Sequence, residues 1–174
     1  MATEIAWGKK LTDPEKQSVL DVCRILKIQP DWLMTCMAFE TGETFSPSIK
    51  NAAGSGATGL LQFIAPTAVS LGTTVYALAK MTFIEQMDYV EKYFKPYIGR
   101  MGSIDDVYMA ILWPKAVGKP EDFVLFDETN ITQYRAYIQN KGLDANKDGR
   151  VVKKEVCNKI HKMLAKGMTD TYRG

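Results

Sequence analysis

Glu40 is the carboxylate whose neighbours in the chain best suit acid–base chemistry. It follows Ala38 and Phe39 at the expected carboxyl end of a helix, where the backbone carries partial negative charge. The Phe39 ring would remove water from the carboxyl group and Glu43 would add a like charge, so all three effects favour a raised pKa. A glutamate that stays protonated near neutral pH can act as a general acid in glycosidic bond cleavage. Position alone, however, favours the simpler interpretation of a solvated glutamate at a helix end.

Residues 144–155 match the twelve-residue loop of an EF-hand at positions 1, 3, 5, 6, 8 and 12. Gly149 would permit the sharp turn, and Val152 could contribute only through a water. A simple Asp/Asn/Gly turn that caps a helix would not require the glutamate at position 12. Only one such loop is present, which favours a structural Ca²⁺ over a sensor, and no cofactor is expected for catalysis. The predicted ligands are Asp144, Asn146, Asp148, the backbone carbonyl of Arg150, and Glu155.

A glycine-rich stretch follows Glu40 in the chain. Residues 56–62 read Gly-Ala-Thr-Gly-Leu-Leu-Gln, a G-A-x-G-L-x-Q pattern without a gap, and Pro66-Thr67-Ala68 comes next. Together with the run from Phe39 to Pro47, this pattern resembles the lytic transglycosylase family, which has a goose-type lysozyme-like fold. The resemblance is specific over about residues 32–72 and weaker to about residue 120. It is greatest to small phage-type cell-wall lysins, some of which also carry an EF-hand.

The resemblance implies an enzyme that cleaves the β-1,4 bond between N-acetylmuramic acid and N-acetylglucosamine in peptidoglycan, with Glu40 as its acid and base. A lytic transglycosylase needs one carboxylate and forms a 1,6-anhydro sugar. A muramidase that hydrolyses the same bond needs a second carboxylate, for which Glu43 is the nearby candidate. A third alternative is an inactive, calcium-stabilised wall-binding or virion protein. The presence of Glu40 together with Gln62 argues against that alternative.

The candidate substrate contacts are Gln62, Ser55, Gly59, Phe63, Tyr108 and Trp113. Gln62 could bond a sugar hydroxyl or acetamide, or could hold its loop as a buried amide. Ser55 suits a substrate contact and a turn equally, the glycines allow close approach of backbone to a sugar, and Phe63 or Ile64 would offer an apolar wall. The family's A-Y-N-A-G element is missing from residues 107–118. Tyr108 or Trp113 would have to supply that aromatic, although each suits the core as well.

Helix signals dominate the chain and predict a mostly α, lysozyme-like (α+β) fold. Capping residues at Thr12, Thr82 and Ser103, and prolines at helix starts, mark the beginnings of helices. Residues 42–63 lack a helical pattern and form a long loop, and residues 123–126 suit a strand and a core turn equally. We expect one transglycosylase-like domain over residues 1–130. An EF-hand helix-loop-helix over residues 131–174 would pack on it, with an entering helix at 134–140 and an exiting helix from Glu155 to about Leu164.

Composition excludes several classes of function. The 174 residues carry a formal net charge of +2, which is too small for a nucleic-acid-binding surface. A single histidine, His161, argues against zinc sites built on several histidines and against most histidine-dependent triads. Three widely spaced cysteines indicate buried thiols rather than disulfides.

No signal peptide and no membrane-spanning run is visible in the sequence. We therefore expect a monomer made in the cytoplasm that contacts peptidoglycan glycan strands, with no nucleic-acid partner. It would reach the bacterial cell wall through a holin-type pore or as part of a phage particle.

Overall fold

The computed structural model describes residues 3–174 and is mostly helical. Within those residues lie α1 (Asp13–Leu26), α2 (Pro30–Glu40), α3 (Ala65–Ser70), α4 (Val75–Leu78), α5 (Phe83–Phe94), α6 (Ile104–Leu112), α7 (Tyr134–Asn140) and α8 (Lys153–Gly167). Strands β1 (Val124–Asp127) and β2 (Arg150–Val152) pair antiparallel. The mostly α class predicted from sequence is confirmed, and the short α4 helix is an addition to the predicted elements. No helix in the described part of the chain is both long and apolar enough to cross a membrane.

Local sequence signals explain where the helices begin. Thr12 and Thr82 each accept a hydrogen bond from the backbone N–H three residues on, and Glu15 and Glu85 bond back, which makes two complete capping boxes. Ser103 caps α6 through the N–H of Asp106. These contacts satisfy N–H groups that a helix cannot bond internally, so the predicted helix starts are confirmed.

The described residues form two compact units. The first comprises residues 3–99 and 163–174, and the second comprises residues 100–162. The predicted division into a domain over residues 1–130 and an extension over residues 131–174 stays a prediction. Both units have buried apolar interiors, and Cys23, Cys36 and Cys157 are buried thiols as predicted. Burial raises the pKa of the Cys23 and Cys157 thiols to about 12, so neither is a ready nucleophile.

In the first unit, α1 packs on α2 and α5. Trp7 lies against this unit's tail segment, which we define as Met163–Gly174. The Trp7 ring is fully buried, with its centroid 4.6 Å from that of Tyr172. Backbone hydrogen bonds join Ile5 to Gly174 in both directions, and the N–H of Trp7 donates to the carbonyl of Gly167.

In the second unit, the chain at residues 123–126 takes the strand alternative. Val124 pairs with Val152, Phe126 with Val151, and Asp127 with Arg150. Lys153, the residue that follows β2, forms a buried ion pair with Asp106. Its ammonium donates to the Asp106 carboxylate at 2.6 Å. Lys153 also donates to the carbonyl of Lys119, and Asp106 accepts from the N–H groups of Gly102 and Gly118.

Candidate active site and metal-binding loop

Glu40 is the last residue of α2 and is half-buried. Thr41 follows as the C-cap, and Gly42 adopts a left-handed conformation with φ of +58°, which ends the helix as the sequence predicts. The carboxylate therefore lies where the last carbonyl groups of α2 make the helix end negative. Local sequence therefore sets the residue at which α2 ends.

Tyr93, on α5, is the neighbour of Glu40 that sequence reasoning missed. Burial chiefly, and then the charges of Tyr97 and Glu40, raise the pKa of the Tyr93 phenol. It therefore remains a protonated hydroxyl within electrostatic range of the Glu40 carboxylate. Tyr93 is 53 residues from Glu40 in the chain (93 minus 40), and only the packing of helices in the first unit brings them together.

Phe63, at the end of the glycine-rich stretch, joins the same cluster. Its ring packs edge-on against Tyr93 with centroids 6.0 Å apart, and Tyr93 in turn lies 6.5 Å from Tyr97. Phe63 is only 2% exposed, which leaves little surface for the predicted substrate contact. Ile64, the other predicted wall residue, is 49% exposed. The end of the glycine-rich motif thus packs on the tyrosine that lies within electrostatic range of Glu40.

Gln86, a second residue that sequence reasoning missed, holds the glycine-rich loop through side-chain hydrogen bonds. Its side-chain oxygen accepts from the N–H of Leu60 at 2.7 Å, and its amide nitrogen donates to the carbonyls of Pro47 and Leu78, both at 2.9 Å. Gly59 has φ of +85°, and a Cβ there would lie 2.3 Å from the Gln86 oxygen. Close packing therefore accounts for Gly59, and a substrate contact there stays a prediction.

Gln62 performs the loop-holding role that was one of its two predicted alternatives. Its amide nitrogen donates to the carbonyls of Gly59 at 3.1 Å and Ile49 at 3.3 Å. Its side-chain oxygen accepts no hydrogen bond from residues 3–174 and the residue is half-buried, so that oxygen can still receive a donor from a ligand. Ser55 is exposed and accepts from the N–H of Ala57 at 3.3 Å, as a turn residue does.

The two remaining aromatic candidates belong to the second unit. Tyr108 is 1% exposed and lies under the Lys159 ammonium, 5.6 Å from the ring centroid. Trp113 is half-buried and packs edge-on against Phe126 at 4.9 Å. Both side chains therefore have core contacts, and a sugar contact for either stays a prediction.

Glu43 is engaged with the tail segment of its own unit. The Lys166 ammonium donates to the Glu43 carboxylate, and this hydrogen bond raises the pKa of Lys166. The backbone N–H of Glu43 donates to the carbonyl of Ala38 at 2.7 Å. The Glu43 carboxylate is thus bound to the Lys166 ammonium, and its role as a second catalytic carboxylate stays a prediction.

The predicted EF-hand loop has its acidic side chains folded inward. Asp144 accepts from the N–H groups of Asp148 and Gly149 at 3.2 and 3.0 Å. Asn146 accepts from the N–H of Asp148 at 3.0 Å. Glu155 reaches back across the loop to accept from the N–H of Ala145 at 3.2 Å. The first and last predicted ligands are therefore joined to the same short stretch of backbone.

Tyr137, on α7, holds Asp144 from outside the loop. Its hydroxyl donates to Asp144 at 2.9 Å, and this bond, with burial, raises the pKa of Tyr137 to about 12. Burial by itself would raise the pKa of Asp144, but the hydrogen bonds from Tyr137 and from Gly149 and its neighbours lower it. The carboxylate thus stays ionised, as a cation ligand must.

β1 is the strand partner of the predicted EF-hand loop. β2 covers loop positions 7–9, and its three residues pair with β1. Within residues 3–174 there is no preformed group of three or more His, Cys, Asp or Glu side chains that could hold a metal. The predicted ligand set also relies on an amide and a backbone carbonyl, so calcium binding stays a prediction.

Comparisons with known proteins add no family to this picture. No protein-family model matches the chain. A search of curated proteins also finds no match. The geometry described above, together with the sequence motifs, therefore carries the functional argument.

Proposed function

We propose that this protein is a peptidoglycan lytic transglycosylase with Glu40 as its general acid and base. The observation that carries the proposal is a half-buried carboxylate at a helix end, Glu40, within electrostatic range of the protonated Tyr93 phenol. The G-A-x-G-L-x-Q loop lies next to this pair through the Phe63–Tyr93 contact. A carboxylate with a polar neighbour, beside a loop with a free amide oxygen at Gln62, suits a sugar substrate.

The proposed reaction uses one carboxyl group twice. Protonated Glu40 donates its proton to the glycosidic oxygen, and the bond from that oxygen to C1 of N-acetylmuramic acid breaks while the substrate's acetamide oxygen bonds to C1. The Glu40 carboxylate then takes the proton from the C6 hydroxyl of the same sugar. The C6 oxygen displaces the acetamide oxygen at C1, giving the 1,6-anhydro product without consuming water. Tyr93 would orient the carboxylate by offering its hydroxyl.

Hydrolysis of the same bond is the alternative, and the environment of Glu43 disfavours it. A hydrolase needs a second carboxylate that activates water or attacks the sugar. Glu43 is the candidate from sequence, but its carboxylate is held by the Lys166 ammonium. A carboxylate that already accepts a hydrogen bond from a lysine has less capacity to accept one from water, which supports the one-carboxylate reaction.

Mass spectrometry of muropeptides released from purified peptidoglycan tests the proposal. We expect products that end in 1,6-anhydro-N-acetylmuramic acid, one water lighter than hydrolysis products. Products with a reducing N-acetylmuramic acid end would establish the muramidase instead. No release of muropeptides from the wall by the folded protein would contradict both enzymes and leave the wall-binding alternative.

We also propose that the Asp144–Glu155 loop binds Ca²⁺ as a structural ion. The side chains of Asp144, Asn146 and Asp148, the carbonyl of Arg150 and both oxygens of Glu155 would hold it. The inward-folded side chains and the Glu155 contact across the loop support this proposal. When bound, the ion would neutralise carboxylates that otherwise repel one another, and so stabilise the second unit.

Calcium should raise the melting temperature of the protein. A ligand at a hundred times its dissociation constant adds about 2.7 kcal/mol of stability, which for a chain of this size is a shift of roughly 5–10 °C. We expect that shift between 1 mM EDTA and excess CaCl₂ in differential scanning calorimetry. Glu155→Gln should abolish most of it, whereas Glu121→Gln, an exposed glutamate outside the loop, should keep it. Equal melting temperatures in EDTA and calcium would refute the site.

A further inference from the structure

The turn that follows Glu40 has an unusual backbone. Gly42, Glu43 and Phe45 have φ values of +58°, +67° and +53°. Residues other than glycine rarely adopt this left-handed backbone conformation, because their Cβ atom crowds the backbone. Such residues persist only where surrounding contacts hold them. The turn beside the proposed catalytic carboxylate therefore depends on its neighbours.

Hydrogen bonds at the end of α2 supply part of that support. The Thr41 hydroxyl donates to the carbonyl of Met37 at 2.7 Å and accepts from the N–H of Phe45 at 2.9 Å. The N–H of Glu43 bonds to the carbonyl of Ala38. These contacts fix the backbone of the turn, but none of them holds the Glu43 side chain.

The tail segment supplies the contact to that side chain. Lys166 donates to the Glu43 carboxylate and lies 5.7 Å and 5.5 Å from the ring centroids of Trp7 and Tyr172. Trp7 also packs against Phe45, with centroids 6.4 Å apart. The same cluster of aromatic rings thus holds both Lys166 and the far end of the turn.

The position of Lys166 is itself fixed by close packing. A Cβ on the next residue, Gly167, would lie 2.1 Å from the Trp7 indole nitrogen, so the backbone there touches the ring. Neither ion-pair partner is deeply buried, with 47% of the Lys166 side chain and 25% of the Glu43 side chain exposed. Exposed ion pairs add little to stability, so removing this one should leave the fold intact.

We propose that Lys166 is a positioning residue for the reaction, and that through Glu43 it fixes the turn that places the Glu40 carboxylate. The inference rests on the proposed function, since it assigns a role toward the Glu40 chemistry. It also gives Glu43 a structural task in place of base catalysis. Small displacements of a catalytic group reduce its rate strongly even where the fold is unchanged.

Substitutions of Lys166 test the proposal on the full chain, with muropeptide release from purified peptidoglycan as the assay. Lys166→Met should lower kcat about 10- to 100-fold and change KM less than about threefold. Its melting temperature should fall by less than about 3 °C. Lys166→Arg should stay near wild-type activity, and Lys162→Met, an exposed lysine on the same helix, should match the wild type.

The double variant Glu43→Lys with Lys166→Glu is the decisive comparison. Each single charge reversal should reduce kcat, because it places like charges together. The double variant restores an ion pair with reversed polarity and should recover kcat to within about threefold of the wild type. A catalytic carboxylate at Glu43 would leave the double variant as slow as Glu43→Lys alone.

Each outcome supports or overturns one statement. Unchanged kcat in Lys166→Met, a loss of kcat matched by a large fall in melting temperature, or no recovery in the double variant would overturn the positioning role. If the wild type releases muropeptides, none of these results contradicts the proposed function. A wild type that releases no muropeptides overturns the proposed function, and the positioning role with it.

Discussion

Replacing Glu40 by glutamine is expected to reduce muropeptide release at least about 10³-fold. The amide has the shape of the carboxylic acid but cannot give up a proton to the glycosidic oxygen, nor take one from the C6 hydroxyl. In the proposed reaction one residue does both, so a single substitution removes both steps. The measurement is initial-rate release of anhydro-muropeptides by wild type and variant at equal concentration.

The fold should survive this substitution, which separates lost chemistry from lost structure. When ionised, Glu40 places a negative charge at the negative end of α2, and when protonated it resembles glutamine, so the substitution should leave the melting temperature unchanged or slightly higher. Glu91→Gln, the same change at a half-buried glutamate on α5, provides the matched control and should retain activity. A Glu40→Gln protein that still lyses peptidoglycan at the wild-type rate would remove Glu40 from the mechanism.

The substitution of Lys153 by methionine should cost about 3–5 kcal/mol of folding stability. Lys153 is 3% exposed and donates to Asp106 and to the carbonyl of Lys119. Removing its ammonium leaves a buried carboxylate without its cation and a carbonyl without its donor. Urea denaturation of the wild type and the variant measures the loss.

Its neighbour Lys154 provides the matched control. Lys154 is exposed, so Lys154→Met should change stability by less than about 0.5 kcal/mol. Lys153→Met combined with Asp106→Asn should cost less than the two single losses added together, because both changes remove one interaction. A loss in Lys153→Met no larger than that in Lys154→Met would show that the pair contributes nothing.

The stability that the Lys153–Asp106 pair contributes should decrease at low pH. Burial by itself would raise the pKa of Asp106, but hydrogen bonds from Lys153 and from the N–H groups of Gly118 and Gly102 lower it. A folded-state pKa below the unfolded value stabilises the protein above about pH 4, and that contribution is lost as the pH falls further. The stability difference between wild type and Lys153→Met should therefore narrow below about pH 4.

Features that depend on residues close in the chain could be predicted from sequence. The helix starts at Thr12, Thr82 and Ser103 and the end of α2 at Glu40 follow from local hydrogen bonds and a left-handed glycine. The inward-folded loop at 144–155 likewise depends on bonds between near neighbours. Such features need no knowledge of the rest of the fold.

The structure of the short apolar run at residues 123–126 could not be predicted from its own residues. Its sequence suits a strand and a core turn equally, because a strand is stabilised by a partner rather than by its own residues. The partner is β2, more than twenty residues later in the chain, and pairing with it decides the outcome.

By itself, the sequence determined the mostly α class, the starts of α1, α5 and α6, the place of Glu40 at the end of α2 and the candidate ligands of the predicted calcium loop. Only the tertiary structure decided which side chains surround Glu40 and its loop: Tyr93, Gln86, and Lys166 on Glu43. The physical reason is the range of the interactions. Capping and turn geometry act within a few residues, whereas these contacts join segments 26 to 123 residues apart that packing alone brings together.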